Sequence, residues 1–184
     1  MKQILLLITV SSLIICCSRK KADKRHNEIT RVVFATGGCF GPCPYQIIDL
    51  DSSLKFKYHG VRYSDTLGFY AGTIEKNLWD SLNIRFEDIN YKKLDTVYNY
   101  SMDDMATEIF IYYGKNKIKH INAQSASLPD SVKNVYDWLM KVIKNLKFEN
   151  RIDSVVFPTQ IQTPLPVPPL PENLKFKPPK LNGE

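Results

Sequence analysis

The sequence predicts an α+β fold, with an antiparallel sheet and two helices packed on one of its faces. Runs of strand length, rich in β-branched and aromatic residues, occur in both halves of the chain. Two longer segments place apolar residues at helical spacing. Turn sequences at Asp51–Ser53 and Gly114–Asn116 favour antiparallel hairpins. The order of sheet, helix, hairpin and helix is typical of one α+β domain, which we place at residues 30–150.

The first half of the predicted sheet contains four strands in succession. The first covers Thr30–Ala35, the second Tyr45–Leu50, and a short fourth strand covers Leu67–Thr73. The third, Leu54–His59, alternates strictly between apolar residues and lysine or histidine. This alternation predicts a sheet with one face exposed to water and places His59 on that face as a solvated side chain.

Apolar periodicity predicts the two helices. Thr73 is the expected N-cap of the first helix, and Pro129 is expected in the opening turn of the second. We interpret Trp79 and Phe86 as core anchors. The apolar face of the second helix comprises Val132, Val135, Tyr136, Leu139, Val142, Ile143 and Leu146.

The second hairpin is predicted from the strand Glu108–Tyr113 and its return Lys117–Ile121. His120, on the returning strand, could approach the first hairpin, but nothing in the sequence requires it. Asp103 and Asp104 lie just before this hairpin. Since no further acidic residues follow at calcium-loop spacing, we interpret the pair as a solvated loop.

The first 16 residues are predicted to be a signal peptide. A short positive start precedes a 12-residue apolar run, Ile4–Ile15, which is too short to span a bilayer. A cysteine directly after such a run suggests lipoprotein processing, so we assign the lipid anchor to Cys17, with Cys16 as the alternative. Residues 17–29 then form a flexible tether. We expect a protein of the cell envelope, attached to a bacterial membrane through its lipid and facing the periplasm.

Residues 151–184 are predicted to be a proline-rich tail, extended or disordered. Eight prolines fall between Pro158 and Pro179, and such a sequence favours polyproline II over helix or central strand. Residues 151–157 could add an edge strand before it, and we expect the tail to bury little surface. Its alternative role is to bind an aromatic groove on a partner protein.

A cysteine-containing loop joins the first two predicted strands. The stretch Thr36–Tyr45 holds three of the eight glycines, two of the four cysteines and two of the eleven prolines. Regular helix or central sheet cannot continue through this stretch, which predicts a tight loop. Cys39 and Cys43 can meet across it, and export would place them in an oxidising compartment. We therefore predict a disulfide between them.

Redox catalysis and copper binding are the alternatives for this loop. The sequence Gly-Gly-Cys-Phe locally resembles the active site of A-type methionine sulfoxide reductases, and thioredoxin-like enzymes use a C-x-x-C that opens a helix. Sco-type copper chaperones carry C-x-x-x-C-P and a distant histidine, for which His59 and His120 are the candidates. In the thioredoxin-like and copper-chaperone cases the cysteines precede a helix, whereas here a strand follows.

Three short motifs together resemble a known family. They are Cys39–Tyr45 (Cys-Phe-Gly-Pro-Cys-Pro-Tyr), Tyr58–Gly60 (Tyr-His-Gly) and Gly68–Gly72 (Gly-Phe-Tyr-Ala-Gly). The family is an uncharacterised domain of unknown function, common in Bacteroidota lipoproteins and marked by a Cys-Phe-Gly-x-Cys-Pro signature. The resemblance covers roughly residues 30–147. It implies a domain boundary. The family has no established activity that the resemblance could carry over to this chain.

The function favoured by the sequence is a lipid-anchored, non-catalytic binding or scaffolding module. The net charge is +6, but the lysines are scattered and no nucleic-acid motif accompanies them, so we assign no nucleic-acid partner. We assign no catalytic residue, metal ligand or cofactor. The alternative is an envelope thiol oxidoreductase or copper-binding chaperone that uses Cys39 and Cys43.

Overall fold

The computed structural model describes residues 28–39, 41–99 and 104–161. The strands are β1 (Ile29–Gly37), β2 (Tyr45–Asp51), β3 (Lys55–Arg62), β4 (Gly68–Thr73), β5 (Val97–Tyr98), β6 (Ala106–Tyr113), β7 (Lys117–Gln124) and β8 (Asn150–Arg151). The helices are α1 (Lys76–Asp88) and α2 (Asp130–Asn145), with short 3₁₀ turns at Tyr91–Lys93 and Ser125–Ser127.

The eight strands of the described residues belong to one sheet, in the order β5-β7-β6-β1-β2-β3-β4-β8. Every neighbouring pair is antiparallel except β5 and β7, which run parallel. The two predicted hairpins are therefore present, and β1 lies between them, paired to both β2 and β6. The α+β prediction is confirmed.

Both helices pack on the same face of the sheet. They join the strands in one large cluster of buried side chains, to which α1 contributes Trp79 and Phe86 as predicted. Tyr136 of α2 meets Phe34 of β1 edge to face, with ring centroids 5.6 Å apart. Between the helices, the Arg85 guanidinium lies 4.9 Å from the Trp138 ring. We call this the helix face of the sheet.

The predicted start of α1 is wrong by two residues. Thr73 is the last residue of β4, and the helix N-cap is Glu75, which makes no side-chain capping hydrogen bond. The backbone N–H of Ile74 donates to the carbonyl oxygen of Leu54 at 2.9 Å, so the chain is still tied to the preceding hairpin there. Tertiary hydrogen bonding thus delays the helix beyond the residue best suited to cap it.

The alternation in β3 predicts that the opposite face of the sheet is exposed to water, but part of that face is buried. Val33, Ala35 and Ile47 are buried on that face under Phe157, which is only 3 % exposed. Residues 152–161, which we call the C-terminal strap, run across this face, which we call the strap face. The expectation that the chain beyond residue 150 buries little is therefore wrong for the strap.

Parts of the sequence predictions lie outside the described residues. They are the signal peptide, the lipid anchor at Cys17, the tether up to residue 27, and residues 162–184 of the tail. Asp103 also lies outside, but Asp104 is described and is not simply solvated. Its carboxylate accepts hydrogen bonds of 2.6 Å from the Ser125 hydroxyl and from the Ala126 backbone N–H. Although partial burial works against ionisation, these hydrogen bonds lower the pKa of Asp104 overall.

Candidate functional site

The cysteine loop, residues 38–44, is held closed at the junction of β1 and β2. The sulfur atoms of Cys39 and Cys43 lie 1.97 Å apart, at disulfide distance as predicted. The Thr36 hydroxyl donates to the carbonyl oxygen of Pro44 at 2.8 Å, and the Ala106 N–H donates to the carbonyl oxygen of Gly38 at 3.2 Å. The loop is thereby fixed both to its own strands and to β6. Both cysteines are half-buried.

An aromatic and cationic stack borders the loop. The Tyr45 ring lies so close over Gly37 that a Cβ there would be 2.5 Å from two of its carbons. Glycine is thus required for Tyr45 to take this position. The Arg62 guanidinium lies 4.6 Å from the Tyr45 ring centroid and 5.4 Å from the Tyr63 ring centroid. These contacts connect the cysteine loop to the turn between β3 and β4.

A pocket of about 280 Å³ opens beside the cysteine loop, on the helix face of the sheet. Three segments enclose it: Pro44 at the end of the loop, the β3–β4 turn, and the last turn of α2 with the residues after it. We call it the loop pocket. It is lined by Pro44, Gln46, Tyr58, Tyr63, Ser64, Asp65, Thr66, Met140, Lys141, Ile143, Lys144, Leu146 and Phe148.

Polar groups lie in the floor of the loop pocket. The Tyr58 hydroxyl is 3.2 Å from Gln46 Oε1 and 3.1 Å from the carbonyl oxygen of Thr66, and its single proton can be donated to one of them at a time. Burial raises the pKa of Tyr58 to about 12, so the phenol stays neutral. The Gln46 amide nitrogen is 3.6 Å from the Met140 sulfur, a weak acceptor. Gln46 therefore keeps donor capacity.

The turn that forms one wall of the pocket depends on a glycine. A Cβ on Gly60 would lie 1.8 Å from the carbonyl oxygen of Thr66, 2.7 Å from the Ser64 hydroxyl and 2.8 Å from the Tyr58 hydroxyl. Any side chain at this position would push the turn away. The motif Tyr58–Gly60 thus supplies both a floor residue and the space into which the wall folds.

Tyr63 lies at the rim of the pocket in an unusual conformation. Its φ angle is +55°, in the left-handed region that bulky residues avoid, and 59 % of the residue is exposed. A residue held in this region costs on the order of 1–3 kcal/mol. Lys141 and Lys144 of α2, both exposed, also line the pocket. The pocket lining therefore combines an exposed aromatic ring with two cations.

The two candidate histidines lie apart on the sheet. His59 is on β3 and His120 on β7, with three strands between them, or roughly 19 Å at ordinary strand spacing. His59 is not simply solvated, because it stacks on Phe69 with centroids 3.7 Å apart, and burial lowers its pKa. Within the described part of the chain, no three His, Cys, Asp or Glu side chains group as metal ligands would.

A second polar centre lies on the strap face, and sequence reasoning missed it. Glu108 of β6 is only 1 % exposed. Its Oε2 accepts hydrogen bonds from the Thr159 hydroxyl and, at 3.0 Å, from the Gln160 N–H of the strap. Its Oε1 lies 3.5 Å from His120 Nε2. The Glu108 carboxylate thus has a structural role, because it holds the strap against the sheet.

Sequence reasoning found the cysteine loop but not the pocket beside it. Lining residues such as Gln46, Tyr63 and Phe148 carry no local motif. Only Pro44 and Tyr58 belonged to motifs that were singled out. The signal that was available is the glycine at position 60, because a glycine inside a strand often marks a close backbone approach.

Comparison with known proteins supplies a family. The family model described as Domain of unknown function (DUF6438) matches residues 30–143. No curated protein matches the chain. In the described residues, none of the helices has the length and apolar character needed to cross a membrane.

Proposed function

Because the chain belongs to the DUF6438 family, a domain of unknown function, its role must be argued from the site, and we propose a lipid-anchored binding module. In this proposal Cys17 carries the lipid, residues 17–29 form the tether, and the domain faces the periplasm. The module acts through non-covalent contacts at the loop pocket.

One observation carries the binding role. The loop pocket combines an exposed aromatic ring at its rim, two lysines of α2, and a floor with a neutral phenol and an amide that keeps donor capacity. Ligand sites are concave, mostly apolar and furnished with a few placed polar groups. With a volume of about 280 Å³, the pocket lies just below the range of roughly 300–1,000 Å³ for small-molecule sites. It suits a short stretch of peptide or a small ligand.

A thiol oxidoreductase or copper chaperone is the second candidate, supported by the half-exposed cysteine pair. Such chemistry requires reactive thiolates. Two sulfurs at disulfide distance fit an inert bridge and the oxidised state of an oxidoreductase equally well, so the stronger support for the binding role comes from the loop pocket. The two histidines that could have completed a copper site lie far apart across the sheet, which also weighs against the chaperone.

The first test separates these candidates. We expect the purified mature protein, alkylated without reduction, to show no alkylation at Cys39 or Cys43 by mass spectrometry. Cys39→Ser combined with Cys43→Ser should fold and lose at most ~2 kcal/mol, because the closed ring is small. Two alkylated cysteines or a bound Cu(I) ion would favour the chaperone, and a bridge that glutathione reduces readily would favour the enzyme.

The second test concerns the anchor. Radiolabelled palmitate should enter the expressed protein and be lost in Cys17→Ala. Cys16→Ala serves as the matched control and should keep the label. Loss in Cys16→Ala alone would move the anchor by one residue, and an unlabelled wild type would reject lipidation.

A further inference from the structure

We propose that the loop pocket is the docking site for a segment of this same chain, the proline-rich residues 163–171. The inference rests on the proposed binding function and names the occupant of its site. It also provides a partner for the proline-rich tail, whose sequence is typical of a ligand for an aromatic groove.

The strap ends close to the loop pocket. The strap crosses the strap face and reaches the cysteine loop at Ile161. Its Cγ2 atom lies 2.9 Å from where a Cβ on Gly37 would be, next to the Tyr45 ring. The strap thus delivers the chain to the same end of the sheet as the loop pocket. Pro164, the first proline of the segment, is only three residues further on.

The proline-rich segment can also reach the pocket. From Tyr45 the surface continues through the Arg62 guanidinium to Tyr63 at the pocket rim, in contacts of 4.6 and 5.4 Å. Nine residues in polyproline II extend over roughly 28 Å, at about 3.1 Å per residue. The segment is therefore long enough to follow this stack around the end of the sheet and enter the pocket.

The pocket offers the chemical groups that a proline-rich segment requires. Aromatic-lined grooves bind proline-rich segments because the rings pack on pyrrolidines, while donors in the groove reach the free carbonyl groups of the ligand. Tyr63 offers such a ring, exposed despite the backbone cost of its positive φ. Gln46 offers an amide nitrogen whose side-chain partner among the described residues is the weakly accepting Met140 sulfur. Leu54, in the turn between β2 and β3, has a similar φ of +64°, so the support for a ligand comes from the exposure of the Tyr63 ring rather than from its backbone conformation.

Charged residues would set the chain direction in which residues 163–171 dock. Residues 163–171 carry no charge and are followed by Glu172. Lys141 and Lys144 of α2 line the same pocket as Tyr63. A segment that enters past Tyr63 would bring Glu172 towards these lysines. Such exposed pairs contribute little energy, so they fix the polarity of the segment more than its affinity.

Because the segment belongs to the same chain as the pocket, weak contacts are sufficient for it to occupy the pocket. A ligand joined to its site through a few residues has an effective concentration in the millimolar range. Even a site with a dissociation constant of hundreds of micromolar would then be mostly occupied by its own tail. A competing proline-rich ligand must displace that tail, so docking would regulate the proposed binding function.

Photo-crosslinking in the purified full-length mature protein tests the proposal. The photoreactive residue p-benzoylphenylalanine is placed at position 63, and the matched control carries it at position 84, where Ile84 is also 59 % exposed. We expect mass spectrometry to find crosslinks from position 63 to residues 163–172, and none from position 84. Combined Pro166→Gly, Pro168→Gly and Pro169→Gly should reduce the crosslink yield at least threefold. Mixing ¹⁵N-labelled with unlabelled chains should show that the link is within one chain.

Three results would overturn the inference. They are the absence of tail crosslinks at position 63, equal crosslinking at position 84, and links formed only between labelled and unlabelled chains. The synthetic peptide of residues 163–172, added in trans, separates failure of the inference from failure of the proposed function. If that peptide crosslinks at position 63 while the chain's own tail does not, self-docking is rejected and the pocket remains a peptide site. If neither crosslinks, the pocket also loses its support as a peptide-binding site.

Discussion

The two faces of the sheet are both dry at their centres, yet they are covered in different ways. On the helix face, two amphipathic helices bury a large and continuous cluster that includes Trp79, Phe86 and Leu139. On the strap face, an irregular segment buries a small cluster under one aromatic anchor, Phe157, and is fixed by polar contacts to Glu108. A layer held by few contacts opens at lower free energy than a packed helical layer.

The strap face also contains an ion pair in addition to its small apolar cluster. Away from the cysteine loop, Arg31 forms two hydrogen bonds of 2.8 and 2.7 Å with the carboxylate of Asp49 and lies 5.0 Å from the Tyr112 ring. The hydrogen bond to Asp49 is the main reason that the pKa of Arg31 is raised. Here a partly exposed ion pair takes the place of apolar burial. Such pairs stabilise a fold only modestly.

The largest expected effect compares a buried apolar side chain on each face. Leu139→Ala, in the middle of α2, should cost ~3–5 kcal/mol of unfolding free energy, because surrounding helices and strands cannot collapse around the cavity. Phe157→Ala should cost ~2 kcal/mol, below the usual range for a buried phenylalanine, because the strap can relax into the gap. Urea unfolding of both variants measures the difference. An equal or greater cost for Phe157→Ala would mean that the strap is as rigid as the helical layer.

A smaller effect should come from the polar anchor of the strap. Thr159→Val keeps the shape of the side chain but removes the hydroxyl that donates to Glu108, leaving a buried carboxylate with one donor fewer. We expect a loss of ~1–2 kcal/mol, the usual cost of removing a partner from a buried acceptor. Thr159→Ser retains the hydroxyl and should lose less than half as much. If the two variants unfold at the same urea concentration, the hydrogen bond does not hold the strap.

The contrast between the faces also explains what the sequence could predict. Apolar residues at helical spacing identify α2 and its buried face, and alternation identifies β3, because these patterns depend only on local geometry. The strap has no such period. Phe157 stands between a valine and a proline, and its burial depends on where the rest of the sheet lies. Likewise, Glu108 was visible only as the first residue of a strong strand.

The candidate site likewise has one part that the sequence could predict and one part that it could not. The cysteine loop could be predicted, because glycine, proline and cysteine restrict the backbone locally. The loop pocket could not, because its walls come from segments separated by up to about a hundred residues, such as Pro44 and Phe148. The Thr73 cap was wrong for a related reason. A hydrogen bond from Ile74 to the preceding hairpin outweighed a local preference.

The smallest expected effect concerns Tyr63, an aromatic residue that is exposed at the pocket rim, whereas Phe157 is buried. Tyr63→Gly should raise the unfolding free energy by ~0.5–1 kcal/mol, because glycine adopts the positive φ at this position without strain, although it loses more chain entropy on folding. Tyr63→Ala removes the same ring but keeps the strained backbone, so it should give no gain in unfolding free energy.

Asn116→Gly is the matched control, since Asn116 is exposed, has a φ of +60°, and belongs to a residue type that tolerates this region. Its stability should change little. Urea midpoints for the three variants decide the matter. A Tyr63→Gly protein that unfolds earlier than the wild type would show that the ring stabilises the domain by packing, and Tyr63 would then lose its standing as a ring kept at the rim for a ligand.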